Sequence, residues 1–158
     1  MKQIFLKIQQ RLAGGVPALQ YVDRNWGQLN YEQPNVKWPC ALIDMEAVEY
    51  EQLSAGGLTA RATISVTLAD QVLTRSSAEA PSPADAYGIV DVVELTCHAL
   101  TGFASLESGS AFQPLVLERM SHQYTDRSFD VYKLTFSTAF TVFSPPGNGT
   151  TLRTVRVI

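Results

Sequence analysis

Ile4, Phe5, Ile8 and Leu12 recur at the spacing of one helical face, with Lys2, Lys7 and Arg11 off it. They predict an N-terminal helix of about three turns, with Gly14 and Gly15 as its stop. Residues 16–26 read as a short strand. Residues 27–39 form a polar loop in which Pro34 and Pro39 exclude both a helix and a central strand. Strand character resumes over 40–50, and Gly56 and Gly57 supply the turn chemistry of a hairpin. Its return limb alternates strictly. Leu58, Ala60, Ala62, Ile64, Val66 and Leu68 share one parity, and Thr59, Arg61, Thr63, Ser65 and Thr67 share the other. One face of this strand is therefore buried, and the other is wet or covered by a partner.

Residues 74–84 (TRSSAEAPSPA) are small, polar and Pro-containing, the composition of a surface loop. The loop leads into a helix start, with Ser82 as cap, Pro83 at the first helical position and Asp85 at the third. Ala86, Ile89, Val90, Val93, Cys97 and Leu100 then make an amphipathic stripe, with Asp91 and Glu94 on the polar side and a stop near Gly102. After a Gly- and Ser-rich connection over 103–112, two strands are predicted at 113–124 and 129–143, joined by a tight turn of Thr125, Asp126, Arg127 and Ser128. In the second, Tyr132, Leu134, Phe136, Phe140 and Val142 share parity and give an aromatic inward face.

The order helix, strand, hairpin, helix, hairpin predicts an α+β fold. Its mainly antiparallel sheet has four to five strands, with the N-terminal and central helices packed on one face. Residues 1–144 form a single domain. Residues 145–158 form a C-terminal arm: Pro145, Pro146, Gly147, Asn148 and Gly149 break the pattern, and the apolar Leu152, Val155, Val157 and Ile158 follow. Such an arm is suited to adding a strand to its own sheet or to a neighbour's.

Composition narrows the partners. Of the 158 residues, 46% are hydrophobic and only 17% charged, so a real core is available. Less charge than usual is left to cover the surface, which points to contact with another subunit. A net charge of −3 offers no basic footprint for nucleic acid. Lys7 interrupts the first apolar run well before the length of a signal sequence, and no run suits a membrane span, so a soluble protein made in the cytoplasm is expected. Cys40 and Cys97 read as small hydrophobes in a reducing compartment rather than as a disulfide.

Candidate chemistry is sparse. Cys97 and His98 are neighbours on a helix, so their side chains point about 100° apart and chelate one ion poorly. No nucleophile signature surrounds either cysteine. Asp91 and Glu94 sit at i and i+3, but on a solvated face. Gly147, Asn148, Gly149 and Thr150 lack the following helix and lysine of a phosphate loop. Trp26, Tyr31 and Trp38 lack the cations of a nucleic-acid stacking platform and fit packing or an interface better. The residues thus predict no catalytic group, no metal and no cofactor.

Taken in order, the N-terminal helix, the strand CALIDMEAVEY entered through Trp38 and Pro39, its return LTARATISVTLAD, the helix ADAYGIVDVVELTCHAL and the aromatic strand VYKLTFSTAFTVF resemble the tail-terminator and tail-completion (neck) proteins of long-tailed bacteriophages and prophages. The resemblance covers residues 1–144. It implies a non-catalytic structural protein of the virion tail or neck, made in the bacterial host cytoplasm. It further implies a hexameric ring that caps the tail tube and joins it to the head, with tail-tube and head-connector partners. The candidate interface residues are Arg75, Ser76, Ser77 and Glu79 in the loop after the return strand, Arg127 in the last turn, and Arg153 and Arg156 in the arm. Two other readings stand beside it: another head-to-tail joining protein, and a small ligand-binding or enzymatic α+β domain.

Overall fold

A computed structural model describes residues 1–53, 57–73 and 76–143. The C-terminal arm, with Arg153 and Arg156, lies outside the described residues, as does Arg75. In chain order the elements are α1 (Lys2–Gly15), β1 (Tyr21–Arg24), β2 (Cys40–Gln52), β3 (Gly57–Gln71), α2 (Gly88–Leu100), β4 (Val116–Gln123) and β5 (Phe129–Phe143). The five strands form one sheet in the order β1-β2-β3-β5-β4.

The two strands with the clearest alternation pair with each other. β3 and β5 run antiparallel from Gly57 opposite Phe143 to Gln71 opposite Phe129 without a register shift. β2 and β4 flank them, and each carries one bulge, between Met45 and Ala47 and between Leu117 and Arg119. The α+β class and the two hairpins are as the sequence predicts. One edge departs: β1 spans four residues rather than 16–26, and it pairs parallel to β2, Tyr21 opposite Cys40. Val16 belongs instead to the end of α1, its N–H donating to Leu12 O at 2.9 Å, so the helix stops after the two glycines rather than at them.

Both helices lie on one face. Ile4, Ile8 and Leu12 of α1 and Ile89, Val92, Val93 and Leu100 of α2 meet Ile43 of β2, Ile64, Val66 and Leu68 of β3, and Leu134 and Phe136 of β5 in the main core. The helices approach each other closely where they end. A Cβ at Gly15 would stand 3.4 Å from Ala99 Cβ, and Arg11 Nε donates to Ala99 O at 2.8 Å. Gly102 follows with φ +77°, a left-handed conformation that favours glycine, and its N–H reaches Leu115 O at 2.8 Å.

The entry to α2 differs from its sequence signature. Residues Pro83–Tyr87 form a 3₁₀ turn, the Ser82 side chain makes no capping bond, and α2 proper begins at Gly88. Ala86 therefore lies outside the 3.6-residue period. The buried stripe is carried by Ile89, Val92, Val93, Thr96, Ala99 and Leu100, with Cys97 at its margin.

The opposite face has its own apolar cover at one end. Cys40, Leu42, Ala69, Phe129 and Val131 form a second cluster against Leu29, Val36 and Trp38, and the rings of Trp38 and Phe129 are 5.2 Å apart. Part of the polar parity of β3 is thus covered by the chain's own residues 25–39.

Thr96 in α2 is fully buried, and its Oγ1 has no hydrogen-bond partner among the described residues. A buried hydroxyl without a partner costs roughly 1–3 kcal/mol. Thr96→Val keeps the shape and removes the polar atom, so it is expected to raise unfolding stability by about 1 kcal/mol, read from denaturant midpoints at unchanged slope.

Candidate interaction surface

Three connections leave the sheet at one end: residues 25–39, the segment that leaves β3 at Val72 and Leu73, and the β4–β5 turn. The first is organised from within by Gln28, which is fully buried. Its Nε2 donates to Arg24 O at 2.8 Å, and its Oε1 accepts from Trp26 N at 2.9 Å, so both ends of the amide are used. Gly27, at φ +92°, makes the turn beside it.

Arg127 fixes this connection to the β4–β5 turn. Its guanidinium donates to the carbonyls of Leu29, Asn30 and Tyr31, at 2.7 Å for Leu29 and 3.0 Å for Asn30. The planar fork suits several acceptors at once, which a lysine cannot match. Arg127, one of the candidate interface residues, therefore works first as an internal tie. Thr125 Oγ1 closes the turn by donating to Phe129 O at 3.1 Å.

Between these loops, on the helix-free face, lies a groove of about 650 Å³. Ser65, Thr67, Val131 and Lys133 line it, with Asp44 and Glu46 toward β2. Lys133 pairs with Glu46, and that contact holds the Glu46 carboxyl below its ordinary range. Arg127 is engaged by carbonyls and Lys133 by a carboxylate, so among the described residues both cations of the groove are committed.

The surface around this end is aromatic. Tyr124 is 91% exposed and Leu73 82%. Trp26 and Tyr31, both more than half exposed, meet edge to face at 5.9 Å. Trp38, from the same sequence stretch, is instead partly buried against Phe129, so the three aromatics divide between exposed surface and the margin of the second cluster. His122 stacks on Tyr132 at 4.7 Å between centroids, and its Nε2 lies 3.2 Å from Asp130 Oδ1. Ser76, Ser77 and Glu79 are exposed in the connection that starts beside Ser128, where Val72 N–H donates to Ser128 O at 3.0 Å. The structure thus places Ser76, Ser77, Glu79 and Arg127 in connections that share one sheet end. Trp26, Tyr31 and Tyr124 join them there, and nothing in their spacing had set them apart from core aromatics.

The titratable groups show no activated nucleophile among the thiols. Burial pushes Cys40 up to about 12, and burial followed by the charge of Glu94 raises Cys97. Among the described residues no three His, Cys, Asp or Glu side chains converge as a metal-binding set. No helix among them is long and apolar enough to cross a membrane. Asp91 and Glu94 are exposed. Asp70 stands directly opposite Asp130 on β3 and β5, and burial raises its carboxyl above the ordinary 3.8.

Two outcomes follow from these contacts. Arg127→Ala is expected to lower stability by about 1 kcal/mol and to speed amide exchange across residues 27–31. Arg127→Lys should recover little of either, as exchange mass spectrometry would show. For Asp70 the folded-state proton affinity exceeds the unfolded one, so its contribution to stability falls as pH rises above 3.8. Asp70→Asn, which removes the charge that burial disfavours, should therefore stabilise the protein at pH 7. The gain should vanish in melts below pH 3.8.

No family model matches the chain, and no curated protein sequence matches it. Among solved structures, a chain from the "Virion of native gene transfer agent (GTA) particle" superposes with a TM-score of 0.55 at 12% identity, covering 88% of this chain and 92% of that one. What the two share at that identity is the fold: the α+β arrangement described above is also that of a chain in a phage-like particle.

Proposed function

We propose that this protein is a non-catalytic structural component of a phage-like particle, and that within the particle it forms the ring that caps the tail tube and joins it to the head. The observation that carries the reading is the fold likeness to a gene transfer agent chain over nearly the whole length of both chains. The loop end supports it. Exposed Trp and Tyr side chains beside an arginine held in place are the composition of a protein interface rather than of a solvated rim. The rigid sheet beneath them fixes how they are presented. In this reading the partners are further copies of the chain, the tube protein and a head connector, and assembly takes place in the host cytoplasm.

A ring of six has a mass of six times 17.3 kDa, or 103.8 kDa. Light scattering of the chain alone and with tube protein is expected to find that species in at least the second case, and a monomer under both conditions would refute the ring. Tyr124→Ala combined with Trp26→Ala should weaken attachment at least tenfold, about 1.4 kcal/mol or more, with Tyr124 contributing nothing to the melting temperature. Arg75→Ala with Glu79→Ala should likewise reduce attachment while leaving folding within about ±0.5 kcal/mol.

A further inference from the structure

β1 pairs only with residues 40–43 of β2, so residues 44–52 have no strand on their outer side among the described residues. The direction of the unused backbone groups follows from the hairpin closure. Leu53 N–H donates inward to Gly57 O at 2.8 Å. Alternation in an antiparallel ladder then turns the N–H and C=O of Gln52, Tyr50 and Val48 outward. Open edges of this kind are normally blunted by charge, proline or a bulge. This one has a bulge between Met45 and Ala47 and charge of one sign only, from Asp44, Glu46, Glu49 and Glu51, so a segment carrying the opposite charge is the one it admits. Beside it runs a trough of about 520 Å³ between α1 and β2, apolar along Phe5, Leu6, Met45 and Val48, with Lys2, Arg24 and Asp44 also lining it.

We propose that this edge is the docking site for the chain's own residues 151–158, which add to β2 as an antiparallel sixth strand. Reach allows it. β5 ends at Phe143 opposite Gly57, the sheet end at which β2 reaches Gln52. Passing β3 and β2 to the next strand position takes three interstrand spacings, roughly 14 Å. The seven residues 144–150 extend to roughly 23 Å. Charge selects it as well. Residues 144–158 contain Arg153 and Arg156 and no acidic residue, against Asp44, Glu49 and Glu51 of β2, Glu46 being paired with Lys133. Side chains alternate along the added strand, so Leu152 and Ile158 turn to the trough while Arg153, with Val155 and Val157, turns to the carboxylate side. The other outer edge, β4, mixes Glu118 with Arg119 and begins opposite Ser137, six residues back from Phe143. The proposal concerns a single chain and does not depend on the virion reading.

Hydrogen exchange on the full chain tests the pairing. The amides of Val48, Tyr50 and Gln52 are expected to exchange at least tenfold slower than free-chain rates, and Val155→Pro should remove that protection. Free-chain exchange at those amides, or protection unaltered by Val155→Pro, overturns the proposal. Charge supplies a second variant: Glu49→Arg with Glu51→Arg should reduce protection, and Arg153→Glu with Arg156→Glu in the same chain should restore it. Failure of that restoration counts against the assigned edge. The source of the strand is read by cross-linking Glu49→Cys to Arg153→Cys in a Cys97→Ser background with a flexible bismaleimide. A monomeric product that carries one reagent spanning both thiols, read as a linked peptide pair after digestion, supports the chain's own segment; a monomer carrying two singly attached reagents overturns it. A product of twice the monomer mass means that a second copy fills the edge, and overturns it.

Discussion

The structure depends on the unbroken pairing of β3 with β5. Each is 15 residues long, and they stay in register from end to end. Because both are interior strands, every residue must suit a covered face or a neighbour in the sheet, which is why their alternation is strong. Leu68 can face the helices while Ala69 faces the second cluster only if the register never slips, since a slip of one residue exchanges the two faces. The outer strands inherit their positions from this pair, and so do the loops that leave its ends.

The two faces are covered in different ways. The helix face is a continuous apolar layer, and α1 and α2 close over it with Gly15 allowing their ends to meet. The other face is covered by an irregular connection, which cannot satisfy its backbone by repeating bonds and needs individual donors and acceptors. Gln28 and Arg127 provide them. The connection is consequently held in place at the point where it displays Trp26 and Tyr31. Side chains held in this way have little freedom left to lose on ordering, which is the property a preorganised surface has.

What could be read from the chain follows from the range of each interaction. The alternation of β3 and β5 is a local, two-residue signal repeated many times, and it identified both strands, with Phe129–Phe143 correct at each end. The stripe in α1 was equally local. β1 was harder, because four residues (Tyr21, Val22, Asp23, Arg24) carry no period, and their parallel pairing depends on the path of residues 25–39. The cap at Ser82 failed for a related reason, since Pro83 starts a 3₁₀ turn whose tighter pitch replaces the expected first turn. At the candidate surface, the exposure of Ser76, Ser77 and Glu79 was legible from composition. The tie made by Arg127 was not, because its acceptors lie 96 to 98 residues away. Nor does spacing separate Trp38, whose partner is Phe129, from the exposed Trp26.

The two bulges give the sheet a mechanical property. Glu46 is the extra residue of β2, at the level of Ile64 and Thr63, and Glu118 is the extra residue of β4, at the level of Phe136 and Thr135. Since Ile64 and Phe136 are themselves paired, both insertions fall on one line across the sheet. Each adds a residue beside an interior pair that keeps its length, one on the β3 side and one on the β5 side, so the local twist increases there from both flanks. The continuous β3–β5 pair carries that extra twist, and the sheet end at Gly57 and Phe143 is turned relative to the part beneath the helices.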